Sequence, residues 1–422
     1  QPCSSAASDV YKRQDFILFF TAMAGSIGAA IYIVNLPDVG GIDSIIDNES
    51  IKNKISVFPD LTNKETLWTL LIIPLAVQWW SSWYPGAEPG GGGYIAQRML
   101  AAKNENHALG ATLFFNIMHY ALRPWPWIIV ALASLIVFPD IESISQAFPN
   151  IEKNKLGHDL AYPAMLTFLP TGLLGLVLAS LVSAYMSTIS THLNWGSSYV
   201  VNDFYKQLVN QKASEKELVK VGRFSVVVLM IISSIIALLL TNAYQLFDII
   251  LMFGAGTGLI FILRWFWWRI NAWSEIAAMI SSGIISIALT NEKIFSLIFN
   301  EYGLPIHMKF PLIVFITTII WLAVTFITPA DDNETLINFY KKTKPGGPGW
   351  SFIKKLDNID KKEERWIVPS GILCMIFGCL MIYSALFSTG YFIYGYASEA
   401  FLFLFFVIVF SILLYLNSKK LF

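Results

Sequence analysis

Apolar residues in this chain come in long unbroken blocks, not in the alternation of a half-buried strand. A bilayer is crossed by about 20 consecutive apolar residues in a helix. Ten stretches meet that length: 15–35, 66–84, 108–138, 165–200, 218–241, 244–267, 274–298, 308–328, 367–388 and 393–416. Their length and apolar content predict helices. Pro124 and Pro126 predict a kink in 108–138, because each lacks a backbone N–H and crowds the preceding turn. The stretch 165–200 exceeds a simple span and predicts tilt or protrusion. The fold class that follows is all-α, a polytopic membrane helix bundle. The polar, Gly/Pro-rich segment 329–366 is the plausible internal boundary. It divides a core at 15–328 from two C-terminal membrane helices at 367–422.

Composition agrees with lipid as the main solvent. The 422 residues are 55% hydrophobic and 14% charged, where soluble domains carry about 25% charge. Lys and Arg number 29, as do Asp and Glu, so no net positive field points to nucleic acid. The placement of the cations is more informative. Arg98 and Lys103, then Lys206, Lys212, Lys216 and Lys220, then the run from Lys341 to Arg365, and finally Lys419 and Lys420 all fall on one face when the spans are counted. By the positive-inside rule that face is cytoplasmic. The acid-rich connections 36–65 and 139–163 fall on the other face. The expectation is a multi-pass protein of the cell (inner) membrane with its C-terminus inside. Cys3, Cys374 and Cys379 form no CxxC and no Cys/His metal spacing, and no cofactor is expected. Residues 1–14 are polar and meet an apolar helix without transition. They are read as a non-native scar, with the native chain beginning partway through a longer protein.

Four regions could carry chemistry. In 66–103 an apolar helix runs into PGAEPGGGG, which cannot continue a regular helix. This is the pattern of a broken membrane helix, whose freed backbone groups are tolerated where protein, water or substrate satisfies them. An extramembrane loop is the plainer alternative. Glu88 sits in the break, and Trp83 and Tyr84 lead into it, as a substrate platform or as interface-belt aromatics. In 108–138, His119 and Arg123 are four apart, so they share a helix face. A cation that deep is costly and calls for an acid, a solute or a structural ion pair. In 165–205, Ser180, Ala184, Ser187, Thr191, Asn194 and Ser198 trace one helical stripe, with Thr188 beside it. Small hydroxyl residues there suit close helix packing, or an alkali cation wrapped by the Ser187 and Thr188 hydroxyls and the Ala184 carbonyl. Asp15 opens the first span, and Asp248 enters the sixth near its outer end.

The run LPTGLLGLVLASLVSAYMSTISTHLNWGSSYVVNDFYK closely resembles the eighth core helix of the sodium:solute symporter family. YIAQRMLAAK resembles the end of that family's helix six, and RWFWWRINAWSEIAAM the end of helix ten. TPADDNETLINFYKKTKPGGPGW resembles a cytoplasmic loop of one bacterial branch, and DFILFFTAMAGSIGAAIY the start of helix five. The resemblance covers 15–422. It implies the LeuT-type fold of two inverted five-helix repeats, here from core helix five onward.

The resemblance also implies sodium-coupled solute uptake by alternating access, with sodium ion, a small solute and the bilayer as partners. The family's helix-eight sodium ligands carry over to the Ala184 carbonyl and the Ser187 and Thr188 hydroxyls, and its helix-five aspartate to Asp15. Solute-contact positions fall on Glu88, Arg123 and Phe247 or Asp248. These differ from the sugar-binding set, and an arginine there suits a carboxylate-bearing solute. The other expectations are a channel or solute sensor on the same fold, or a membrane enzyme built on His119, Arg123 and Glu88. The enzyme reading lacks HExxH, GxSxG and P-loop motifs.

Overall fold

The computed structural model describes residues 2–56, 60–78, 80, 99, 102–152, 155–239, 243–356 and 366–421, without the side chains of 2–16, 78, 239 and 243–249. The principal helices are α1 (Pro2–Val34), α2 (64–78), α3 (Glu105–Asn116), α4 (Trp125–Val137), α5 (Thr171–Ser198) and α6 (Glu215–Leu239). They are followed by α7 (Ala243–Leu263), α8 (Ala272–Thr290), α9 (Lys309–Ile327), α10 (Asn333–Thr343), α11 (Val368–Ile393) and α12 (Ala397–Ser418). The described residues contain no strand. Eight helical stretches among them are long and apolar enough to cross a bilayer. The protein is an all-α polytopic bundle, and the LeuT-type fold is consistent with it.

Every stretch expected to be helical contains helix, but three depart in detail. The segment 108–138 is interrupted at Arg123 and Pro124, where its prolines predict a kink. α3 continues to Leu122 in widened turns, and a new helix starts at Trp125 after Arg123 and Pro124. Pro126 falls in the first turn of α4, where its missing N–H breaks no helical bond. The stretch 274–298 is divided at Asn291. Its side chain accepts hydrogen bonds from the N–H of Lys293 (3.1 Å) and Ile294 (3.4 Å) and so caps the next short helix. The long 165–200 stretch starts only at Thr171, after extended Pro170, and continues in widened turns to Val209.

The chain forms two compact units. The first comprises 1–55 and 122–242. Here α1 meets α5 through small residues: Gly25 faces Val177 and Ser180, and Gly28 faces Leu173. Glycine lets the two backbones approach closely, which is how apolar helices gain dispersion contact in lipid. α5 meets α6 where Gly222 lies against Ser197, whose hydroxyl donates to the Gly222 carbonyl at 2.9 Å. Tyr162 lies near Ser26 of α1 and Trp127 of α4, and burial pushes its pKa above the usual phenol range.

The second unit comprises 56–121 and 243–422. Its centre is α7 against α8 and α9. Met252, Leu289, Phe299 and Ile313 form one buried cluster, and Ile260, Ile270, Ala278 and Trp321 another. Asn271 caps α8 by accepting from Ser274 N–H at 3.0 Å and donates to the Pro329 carbonyl at 2.9 Å. The Arg264 guanidinium pairs with Glu275 at 3.3 Å and covers the Phe261 ring.

The polar segment after α9 has structure of its own. Leu336 and Tyr340 of α10 enclose Trp350 and Ile353 in a small core. Trp350 Nε1–H donates to the Trp265 carbonyl at 2.9 Å, and Trp268 N–H to the Gly349 carbonyl at 3.3 Å. A Cβ at Gly349 would run into the Phe266 carbonyl. Glycine is therefore needed where this small module sits on the α7–α8 connection.

Candidate functional site

The hydroxyl-bearing face of α5 is defined by what lies next to it along the helix. Val177 and Ser180 are buried against α1. Residues three to four apart share a helix face, so Ala184, Ser187 and Thr188 continue the same stripe toward the C-terminus. There the burial ends: Ser187 is half-buried, while Ala184 and Thr188 are exposed. Ser180 already spends its hydroxyl on the Val177 carbonyl at 2.7 Å. The Ser187 carbonyl accepts from Thr191 Oγ1 at 2.8 Å and Ser190 Oγ at 3.1 Å. His192 Nδ1 lies 2.9 Å from the Thr188 carbonyl. These bonds add to the helical load on the carbonyls of 187 and 188, and Ala184, Ser187 and Thr188 lie within about one turn of one another on α5. Asp15 lies in the backbone of α1, and its side chain is outside the described residues.

The expected solute-binding residues fare differently. Glu88, Trp83 and Tyr84 lie outside the described residues. Asp248 lies in the first turns of α7, and its side chain is likewise outside them. Between His119 and Arg123 the winding changes from widened turns to a turn before Pro124, so regular α-helical spacing does not hold there. The two residues also belong to different compact units. The half-buried His119 stacks on Phe115 with ring centres 5.0 Å apart and meets the edge of Tyr120 at 4.7 Å. The Arg123 guanidinium lies over the Trp127 ring, 5.3 Å from its centre. Such stacking suits a cation held in an apolar wall, because the ring face is electron-rich. No cluster of three or more His, Cys, Asp or Glu able to hold a metal ion occurs among the described residues.

One contact in the second unit was not legible in the sequence. Just beyond α2, the Trp80 indole lies against α7 and donates Nε1–H to the Ala255 carbonyl at 2.9 Å. It occupies the space over Gly258, where a Cβ would collide with the ring. Gly256, half a turn away, faces Ser282 and Thr317 instead. The signal available was the GAGTG run at 254–258 in an otherwise apolar helix.

The sequence is 30% identical over 251 residues to sodium/myo-inositol cotransporter 2 of Rattus norvegicus, covering 55% of this chain and 35% of that protein. It is 28% identical over 196 residues to the sodium/glucose cotransporter of Vibrio parahaemolyticus, covering 45% of this chain and 36% of that one. Against the sodium/myo-inositol cotransporter of Mus musculus, identity is 34% over 186 residues, covering 43% of this chain and 25% of that one. The chain thus spans about a third of the length of the curated relatives it matches. The model of the sodium:solute symporter family matches residues 17–282, well over half of the sequence and including the whole α5 stripe. The chain belongs to the sodium:solute symporter family.

Proposed function

We propose that the protein carries out sodium-coupled secondary active uptake of a small organic solute by alternating access. The observation that carries this reading is the α5 stripe. Its first half is buried on α1, and its second half presents Ala184, Ser187 and Thr188 without that cover. A sodium ion needs several oxygen ligands, and in transporters of this kind helix carbonyls and hydroxyls near the bilayer midplane supply them. The Ser187 and Thr188 hydroxyls with the Ala184 carbonyl are half of such a shell, and Asp15 offers the ion a carboxylate on its way to the cytoplasm. No covalent chemistry is required of any residue, and sodium is cargo rather than a resident cofactor.

Coupling follows from linkage. Sodium drives uptake only if ion and solute favour the same conformer, and each must then raise the other's affinity by the same factor. The solute-facing residues are Arg123, His119, Glu88, Trp83, Tyr84 and Asp248. The names of the relatives point to sugars and inositol as a solute class. Arg123, held over Trp127, favours a solute carrying a carboxylate. A panel of labelled inositol, sugars, amino acids and organic acids, assayed with and without sodium in vesicles holding the full-length protein, separates the two classes. Uptake that ignores the sodium gradient removes the symport reading. Conversion of solute in detergent would make the protein an enzyme, and binding without accumulation would make it a sensor. The membrane is proposed to be the inner one, with the C-terminus in the cytoplasm.

A further inference from the structure

The lock between Trp80 and α7 has a consequence for solute binding. Indole is the largest side chain, and here it takes up the room left by one missing Cβ, at Gly258. The Trp80 N–H reaches the carbonyl of Ala255, one turn back on the same helix. Ring and hydrogen bond therefore fix two coordinates at once: how closely Trp80 approaches α7, and at what height along it. α7 is in turn held from its other side, where Ser282 Oγ of α8 donates to the Phe253 carbonyl at 2.7 Å, and Gly256 admits Ser282 and Thr317. The glycine pair thus gives α7 two notches on different faces, one for the indole and one for the α8 and α9 hydroxyls.

We propose that Trp80 is a positioning residue for solute binding, locking the end of α2 to α7 through the notch at Gly258. α7 carries Asp248 ten residues before Gly258, roughly 15 Å along the helix at 1.5 Å per residue. Asp248, one of the candidate solute contacts, is therefore carried by an element that the indole holds in register. The residues proposed for sodium belong to the other compact unit, so the lock is expected to act on solute affinity, with sodium dependence compared at saturating solute because the two affinities are linked. This inference rests on the solute-uptake reading above.

The test uses the full-length protein in proteoliposomes with sodium and a solute that it accumulates. Gly258→Ala evicts the ring, and the half-saturating solute concentration is expected to rise about tenfold, the scale of one lost buried hydrogen bond with its packing, with half-saturating sodium unchanged. Trp80→Phe keeps a ring without the N–H and is expected to fall between wild type and Gly258→Ala. The double variant Trp80→Ala/Gly258→Ala is expected to be no worse than Trp80→Ala alone, because the added methyl then meets no ring. Additive losses, equal shifts in sodium and solute dependence, or an unaffected Gly258→Ala would each overturn the lock. If wild type shows no sodium-dependent uptake, the transport reading fails by itself. Wild type, Trp80→Ala, Gly258→Ala and the double variant compared by thermal unfolding then decide the lock: coupled shifts support it, and independent shifts overturn it.

Discussion

At the scale of single residues, the α5 stripe makes the sharpest claim. Removing an oxygen ligand from a bound ion costs about 1.5–3 kcal/mol, as for other hydrogen-bonding or ligating contacts to charge. Ser187→Ala and Thr188→Ala are each expected to raise the sodium concentration for half-maximal uptake about tenfold or more, with expression unchanged. Flux measured across a sodium series checks this, and an unaltered sodium dependence in both variants would remove the site from α5. Arg123→Ala is expected to abolish uptake while Arg123→Lys retains part of it, since lysine keeps the charge but not the planar fork. Full uptake by Arg123→Ala would leave Arg123 as a packing residue over Trp127. The stripe itself was legible in the sequence, because small and hydroxyl residues at helical spacing are conspicuous among leucines. The geometry at His119 and Arg123 was not, because simple i, i+4 counting assumes regular winding, and the chain abandons it between Ile117 and Pro124.

At the scale of elements, the segment after α9 shows where composition misleads. Its lysines, glycines and prolines suggest a linker, yet Trp350, Tyr340 and Leu336 are almost fully buried. A few large rings suffice to seat a short polar segment on a neighbour, and windowed hydropathy averages them away. Trp350→Ala is expected to cost about 3–5 kcal/mol, typical of a buried aromatic truncated to alanine. A lowered unfolding temperature and faster amide exchange in α10 would register it. The cap of α10 adds a pH signature. Asp332 accepts the Thr335 N–H at 2.8 Å, and this bond holds its carboxyl below the usual carboxylate range. A depressed folded pKa means that the cap's contribution is present above the ordinary carboxylate range and is lost as pH falls through the lower, folded value. Amide protection at the start of α10 is expected to decline in acid for wild type and to stay flat in Asp332→Asn, which still caps. Asn291 and Pro170 teach the complementary lesson. Helix existence was readable from apolar length, but helix ends were set by single residues that an apolar window absorbs.

At the scale of the whole molecule, family membership and the apolar helices make a multi-pass transporter-family bundle, and the lysine distribution predicts which way round it sits. A cysteine placed at Lys419 is expected to react with an impermeant thiol reagent only after the cytoplasmic side is opened. Labelling of intact cells would reverse the assigned orientation. Bulk composition and the MST-bearing helix made class and family legible from sequence. Solute identity was not, because it is set by side chains far apart in the sequence, and spacing along the chain does not place them.

The contact of Gly349 and Trp350 with the α7–α8 connection has a practical corollary. Carbonyls and N–H groups are exchanged there backbone to ring and backbone to backbone, so α10 cannot tumble independently of α7. A fluorophore or spin label on the exposed Lys342 would therefore travel with that hairpin. There it would read out any displacement of α7 without touching that helix itself.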